Sequence, residues 1–114
     1  MSTLKSNPHM SAENPLNIDP DNLPGLVSSG AVHVIDVREP HEYAAGHVPG
    51  AHNHPLGTLN PSKLPTDKPI VLICMGGGRS LKGVHACHGA GRTDAIHYQP
   101  GTRGWVERGN RVEK

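Results

Sequence analysis

Phenylalanine is absent from this chain of 114 residues, and only Tyr43, Tyr98 and Trp105 carry aromatic rings. Any core must therefore rest mainly on aliphatic side chains. Cysteine is scarce as well: Cys74 and Cys87 are the only two, too few for a disulfide framework. No apolar run approaches the ~20 residues that cross a bilayer. The stretch Met1–Asn14 lacks the apolar middle region of a signal peptide. Surplus charge is also missing. Eleven Lys and Arg against ten Asp and Glu leave a formal +1, so neither nucleic acid nor an anionic membrane is expected as a partner. These absences point to a cytoplasmic protein with reduced thiols.

Glycine (14) and proline (11) are plentiful, which suits short elements joined by tight turns. The length fits one domain, since single domains commonly have about 100–150 residues. Residues 1–15 are polar and aperiodic with Pro8 and Pro15, so they are expected to form a disordered arm preceding a domain over 16–114. Leu16–Ile18 is a candidate edge strand. Asp19-Pro20 reads as a helix start, carrying Leu23, Leu26 and Val27 to a stop at Gly30. Residues 32–37 read as a strand, 40–45 as a short helix closed by Gly46, and 47–65 as turn and loop. The run Pro69–Ile73 has no polar face and reads as a buried strand. A helix over 79–90 would set Leu81, Val84 and His88 on one side, with Gly83 and Gly89 weakening it by ~1 kcal/mol each. A strand over 95–98 and a helix over 102–108, ended by Gly109, complete the chain. This alternation implies an α/β fold: a mostly parallel sheet with helices on both faces, whose ligands bind beyond the strands' carboxyl ends.

Cys74 stands at such an end, followed by Met75, Gly76, Gly77, Gly78, Arg79 and Ser80. A lone cysteine there could be merely buried and the glycines an ordinary turn. The continuation into Arg-Ser at a helix start argues otherwise. Amides of the glycine loop, the helix N-terminus and the Arg79 cation would all favour a thiolate, and glycine lets backbone approach a bound group closely. The expected product is a nucleophilic thiolate at the base of an anion cup. Cys87 lies eight residues beyond Arg79, roughly 12 Å along a helix, and is expected to be a separate free thiol.

These residues resemble the single-domain rhodaneses. Asp36-Val37-Arg38-Glu39-Pro40 with Glu42-Tyr43 matches the family's acidic-Arg block. Gly46-His47-Val48-Pro49-Gly50-Ala51 matches its turn. Cys74, Gly77, Arg79 and Ser80 match its Cys-x-x-Gly-x-Arg-Ser loop, and Gly101, Trp105 and Gly109 match its terminal block. Pro100 departs from that pattern, standing where the family often has a glycine, and Arg92 stands where an apolar residue is usual. The resemblance implies a rhodanese-like fold with a five-stranded sheet. It also implies a sulfurtransferase that moves a sulfane sulfur from thiosulfate or a persulfide to a thiol or cyanide through a Cys74 persulfide, without a cofactor. Arg79 would fix the loop and add positive potential, while Asp36, Arg38 and His47 would support the scaffold. A sulfur-relay or binding module with a protein partner is the alternative of another class. A cysteine phosphatase or arsenate reductase is a third. Phosphatases of this kind place one more residue between cysteine and arginine than the four here, Met75–Gly78.

Nine histidines invite a metal site. His52-x-His54, His41 and His47 lack the spacing of a zinc ligand set, so turn and surface roles are expected and no metal. His85 and His88 are expected to be half-exposed on the helix.

Overall fold

The computed structural model describes residues 7–114. Four short strands, β1 (His33–Asp36), β2 (His52–Asn53), β3 (Ile70–Ile73) and β4 (Ile96–His97), form one sheet in the order β2-β1-β3-β4. Every neighbouring pair is parallel. Helices α1 (Leu23–Ser29), α2 (Pro40–Ala45), α3 (Gly78–Gly89) and α4 (Gly101–Glu107) connect or flank them.

The uninterrupted apolar character of the central strands has its explanation in two cores. Val34, Val71, Ile73 and Ile96 face Leu23 and Trp105 of α1 and α4. Ile35, Ile70 and Leu72 face Val84 and Cys87 of α3. Helices therefore cover both sides, as the alternation of elements implied.

The sheet has four strands, not the expected five. Leu16–Ile18 does run beside β4. The Ile18 amide donates to His97 O (3.0 Å) and the His97 amide to Leu16 O (2.9 Å). The pairing ends after the single parallel bridge of Asn17 to His97, because Pro20 has no amide proton to extend it. β2 lies in a stretch expected to be loop, and at two residues it shows no period.

α1 begins at Leu23 rather than Asp19-Pro20. Asp19 Oδ1 accepts the Asp21 amide at 3.0 Å and its carbonyl accepts the Asn22 amide at 3.0 Å. That local turn competes with a helical start. On α3 the buried residues are Ser80, Gly83, Val84 and Cys87. Leu81, expected on this face, is exposed. Gly83 does more than weaken the helix: a Cβ there would lie 2.6 Å from Leu72 Cδ2, so its absence lets α3 settle onto β3. Of the histidines on α3, His85 is exposed and His88 half-buried.

Of segment 1–15, residues 1–6 lie outside the described residues. Asn7 is buried, and its Nδ2 donates to Ile70 O (3.2 Å) and Asp94 O (3.0 Å). Met10 bridges Ile18. Among the described residues, no helix is long and apolar enough to cross a membrane.

Candidate active site

β3 delivers Cys74 to the carboxyl edge of the sheet, 1% exposed. The chain then turns within three glycines and enters α3, whose N-cap is Gly77. This reversal points amides back at the sulfur. Gly77 N donates to Sγ at 3.1 Å and Ser80 N at 3.3 Å, with Ser80 Oγ 3.5 Å away. Burial opposes ionisation of the thiol. Hydrogen bonds from the Ser80 hydroxyl and from the amides of Ser80, Gly77 and Gly76 outweigh it and hold Cys74 below its ordinary value.

The three glycines are not equivalent. Gly77 has φ +101° and a Cβ there would meet Gln99 O at 2.6 Å, whereas a Cβ on Gly76 or Gly78 meets nothing within 4 Å. Only the middle glycine is required by the fold. The loop is also held from outside by the start of α4. Thr102 N donates to Cys74 O (2.8 Å), Thr102 Oγ1 to the same oxygen (3.3 Å), and Arg103 N to Met75 O (3.3 Å). A Cβ on Gly101 would fall 2.2 Å from Met75 O. Gly101 thus admits the approach that closes the cup.

Arg79 is held by a partner from another element. Its Nη1 and Nη2 donate to Glu42 Oε1 (2.7 Å) and Oε2 (3.0 Å), so the guanidinium is matched by a carboxylate on α2. The loop amides and Ser80 lower the Cys74 pKa, and Arg79 anchors the loop's far end. Glu42 Oε1 also accepts the Glu39 amide at 3.0 Å, as a capping residue in the first turn of α2. Arg79 chiefly, with Glu39, holds the Glu42 carboxyl to about 2 against burial.

Asp36 and Arg38 form a separate buried pair, and His47 bonds Tyr43 rather than either of them. Arg38 Nε and Nη2 donate to Asp36 Oδ1 (3.0 Å) and Oδ2 (2.8 Å), and Nη2 also donates to Gly46 O (2.7 Å). Asn53 Nδ2 closes the strand end onto Asp36 O and Arg38 O, both at 3.0 Å. His47 stacks on Tyr43 with ring centroids 3.7 Å apart, and its Nδ1 lies 2.8 Å from Tyr43 O. This ties α2 to the turn after it. None of the three hydrogen-bonds the sulfur.

Cys87 is a buried free thiol pushed up to about 11 by burial, with Arg92 opposing and Asp94 adding. It has no part in the cup. No three His, Cys, Asp or Glu side chains converge to hold a metal among the described residues.

Sequence reasoning missed two groups here. Glu42 stood out as a member of a motif block, with nothing to show that it grips Arg79. His97 was one histidine in a predicted strand; its Nδ1 is 2.8 Å from Ser80 Oγ. The apolar neighbours Ala95, Ile96 and Tyr98 were the only signal that this imidazole would be buried.

A model of the rhodanese-like domain family matches residues 19–108. An uncharacterised protein of Synechocystis is 36% identical over 101 residues, 87% of this chain but 56% of that protein. The chain thus spans little more than half of that relative's length. The human thiosulfate:glutathione sulfurtransferase is 31% identical over 103 residues, 75% of this chain and 89% of the enzyme. Among solved structures, a rhodanese-related protein of Thermoplasma volcanium superposes with a TM-score of 0.77 at 28% identity, covering 85% of this chain and 96% of that one.

Proposed function

Because this chain belongs to the rhodanese-like domain family, we propose that it transfers sulfane sulfur through a persulfide on Cys74. The observation that carries the reading is the convergence of Gly77 N, Ser80 N and Ser80 Oγ on one sulfur atom. In the first half-reaction the Cys74 thiolate attacks the outer sulfur of thiosulfate. A new S–S bond forms, the donor S–S bond breaks, and sulfite leaves with the electron pair. The Cys74 persulfide anion then lies where loop amides favour negative charge. In the second half-reaction an acceptor thiolate or cyanide attacks the terminal sulfur, and Cys74 departs as thiolate. That second departure is eased by the bonds that lower the thiol pKa. With two free thiols, this chemistry belongs in a reducing compartment, the cytoplasm.

Phosphoryl transfer fits less well. The loop is short, and the arginine that would clamp a phosphoryl group is already engaged by both oxygens of Glu42. Intact mass after incubation with thiosulfate tests the reading. A gain of about 32 Da that is absent in Cys74→Ser supports it. Loading by a protein persulfide but not by thiosulfate would assign the donor to a sulfur-relay partner. No gain with any sulfane donor, beside turnover of an aryl phosphate, would reject sulfur transfer.

A further inference from the structure

Cys74, Ser80 and His97 form a chain of polar atoms inside the fold. Ser80 Oγ lies 3.5 Å from Cys74 Sγ, 2.8 Å from His97 Nδ1 and 3.1 Å from Gly77 O. A serine hydroxyl has one proton to donate, so these three neighbours compete for it. The Gly77 carbonyl can only accept. The imidazole contact is the shortest, and Nδ1 either accepts or donates according to its own proton. His97 therefore decides where the Ser80 proton points.

Burial gives this chain a task. Cys74 is 1% exposed and His97 3%. His97 borders a concavity of about 340 Å³ beside the loop, together with Gly76, Gly77, His85 and Gln99. The imidazole thus stands between the buried sulfur and the outside.

Taking Cys74 as the sulfur-carrying nucleophile, we infer that His97 is a positioning residue that receives the Cys74 proton through Ser80. The S–H bond breaks as its proton passes to Ser80 Oγ. The proton already on Oγ passes to His97 Nδ1, leaving one thiolate and one imidazolium. Loss of the Nε2 proton to water then yields the neutral ring with its proton on Nδ1. In that state Nδ1–H donates to Oγ and Oγ–H donates to sulfur. Both bonds run towards the anion, as a Cys74 persulfide also requires. Burial first, and His85 second, hold the imidazole below its ordinary pKa, which favours the neutral ring. The titratable groups facing His97 are Cys74 at the end of β3 and His85 on α3; residues 14–17 and Gln99 carry no charge.

The test is the pH dependence of Cys74 alkylation by iodoacetamide in wild type, His97→Asn and His97→Gln, followed by intact mass. The backbone bonds of His97 to Leu16 and Ile18 do not use its side chain. The alkylation midpoint should rise by about one pH unit in both variants, slowing reaction at pH 7 roughly tenfold. A merely structural role would lower the melting temperature and leave the midpoint in place, which would overturn the inference. A second measurement needs no His97 variant. The ring ¹⁵N shifts of His97 should titrate with the alkylation profile in wild type and lose that step in Cys74→Ala. A His97 titration unchanged in Cys74→Ala would equally overturn it. Neither experiment uses a sulfur donor, so failed sulfur loading rejects the proposed function without deciding this one.

Discussion

Glu42 grips Arg79 with both carboxylate oxygens, at 2.7 and 3.0 Å, and so fastens the first turn of α2 to the first turn of α3. The pair is partly open to water, with side-chain exposures of 36% and 22% for Arg79 and Glu42. Its contribution is therefore roughly 0.5–1 kcal/mol.

That contribution has a defined pH dependence. Glu42 lies at about 2 in the folded chain against an ordinary 4.5. A depressed carboxylate stabilises fully above its unfolded value, and the effect fades as pH falls towards the folded one. Melting curves of wild type and Glu42→Gln should differ by a few degrees at neutral pH and converge between pH 4.5 and about 2. A gap that persists at the acid end would mean that the variant loses packing rather than charge.

Thiol acidity should depend on Ser80 more than on Arg79. Ser80 supplies both an amide and a hydroxyl to the sulfur, while Arg79 is occupied by Glu42. Ser80→Ala should raise the midpoint of Cys74 alkylation by about one unit, with a smaller rise in Arg79→Ala. The reverse order would return the main electrostatic role to the arginine.

The glycine triplet separates by position. Gly77→Ala must tolerate φ +101° and a contact of 2.6 Å with Gln99 O. It should cost about 2–3 kcal/mol and abolish sulfur loading. Gly76→Ala and Gly78→Ala meet nothing within 4 Å and should fold with melting temperatures near wild type. Calorimetry on the three variants checks this ordering.

Removing one partner of the buried pair Asp36–Arg38, 0% and 2% exposed at the side chains, strands a cation inside the protein. Asp36→Asn should therefore cost about 3–5 kcal/mol in denaturant titrations. It would act on alkylation of Cys74 only through unfolding, because neither residue bonds the sulfur.

The parts legible in the sequence are those whose cause is local. The apolar runs around Val34 and Val71 forced a sheet buried on both faces, and the Cys74–Ser80 spacing announced a loop that aims amides at a sulfur. The strand count failed where elements shrink to two residues. His52–Asn53 becomes a strand only because β1 lies beside it, and Leu16–Ile18 falls short because Pro20 interrupts its pairing. The buried face of α3 was misread at Leu81, since close seating against Leu72 places Gly83, and with it Ser80, inward. Glu42 and His97 reach the site from 37 residues before Arg79 and 17 residues after Ser80. No spacing rule in a single chain exposes contacts of that kind.

The amides of Thr102 and Arg103 that hold the carbonyls of Cys74 and Met75 belong to a segment synthesised well after the loop. A nascent chain stalled before that segment would carry the cysteine without its finished cradle. Contacts between distant parts of a chain also tend to form late in folding. The cup around Cys74 is thus complete only when both segments of the domain are in place.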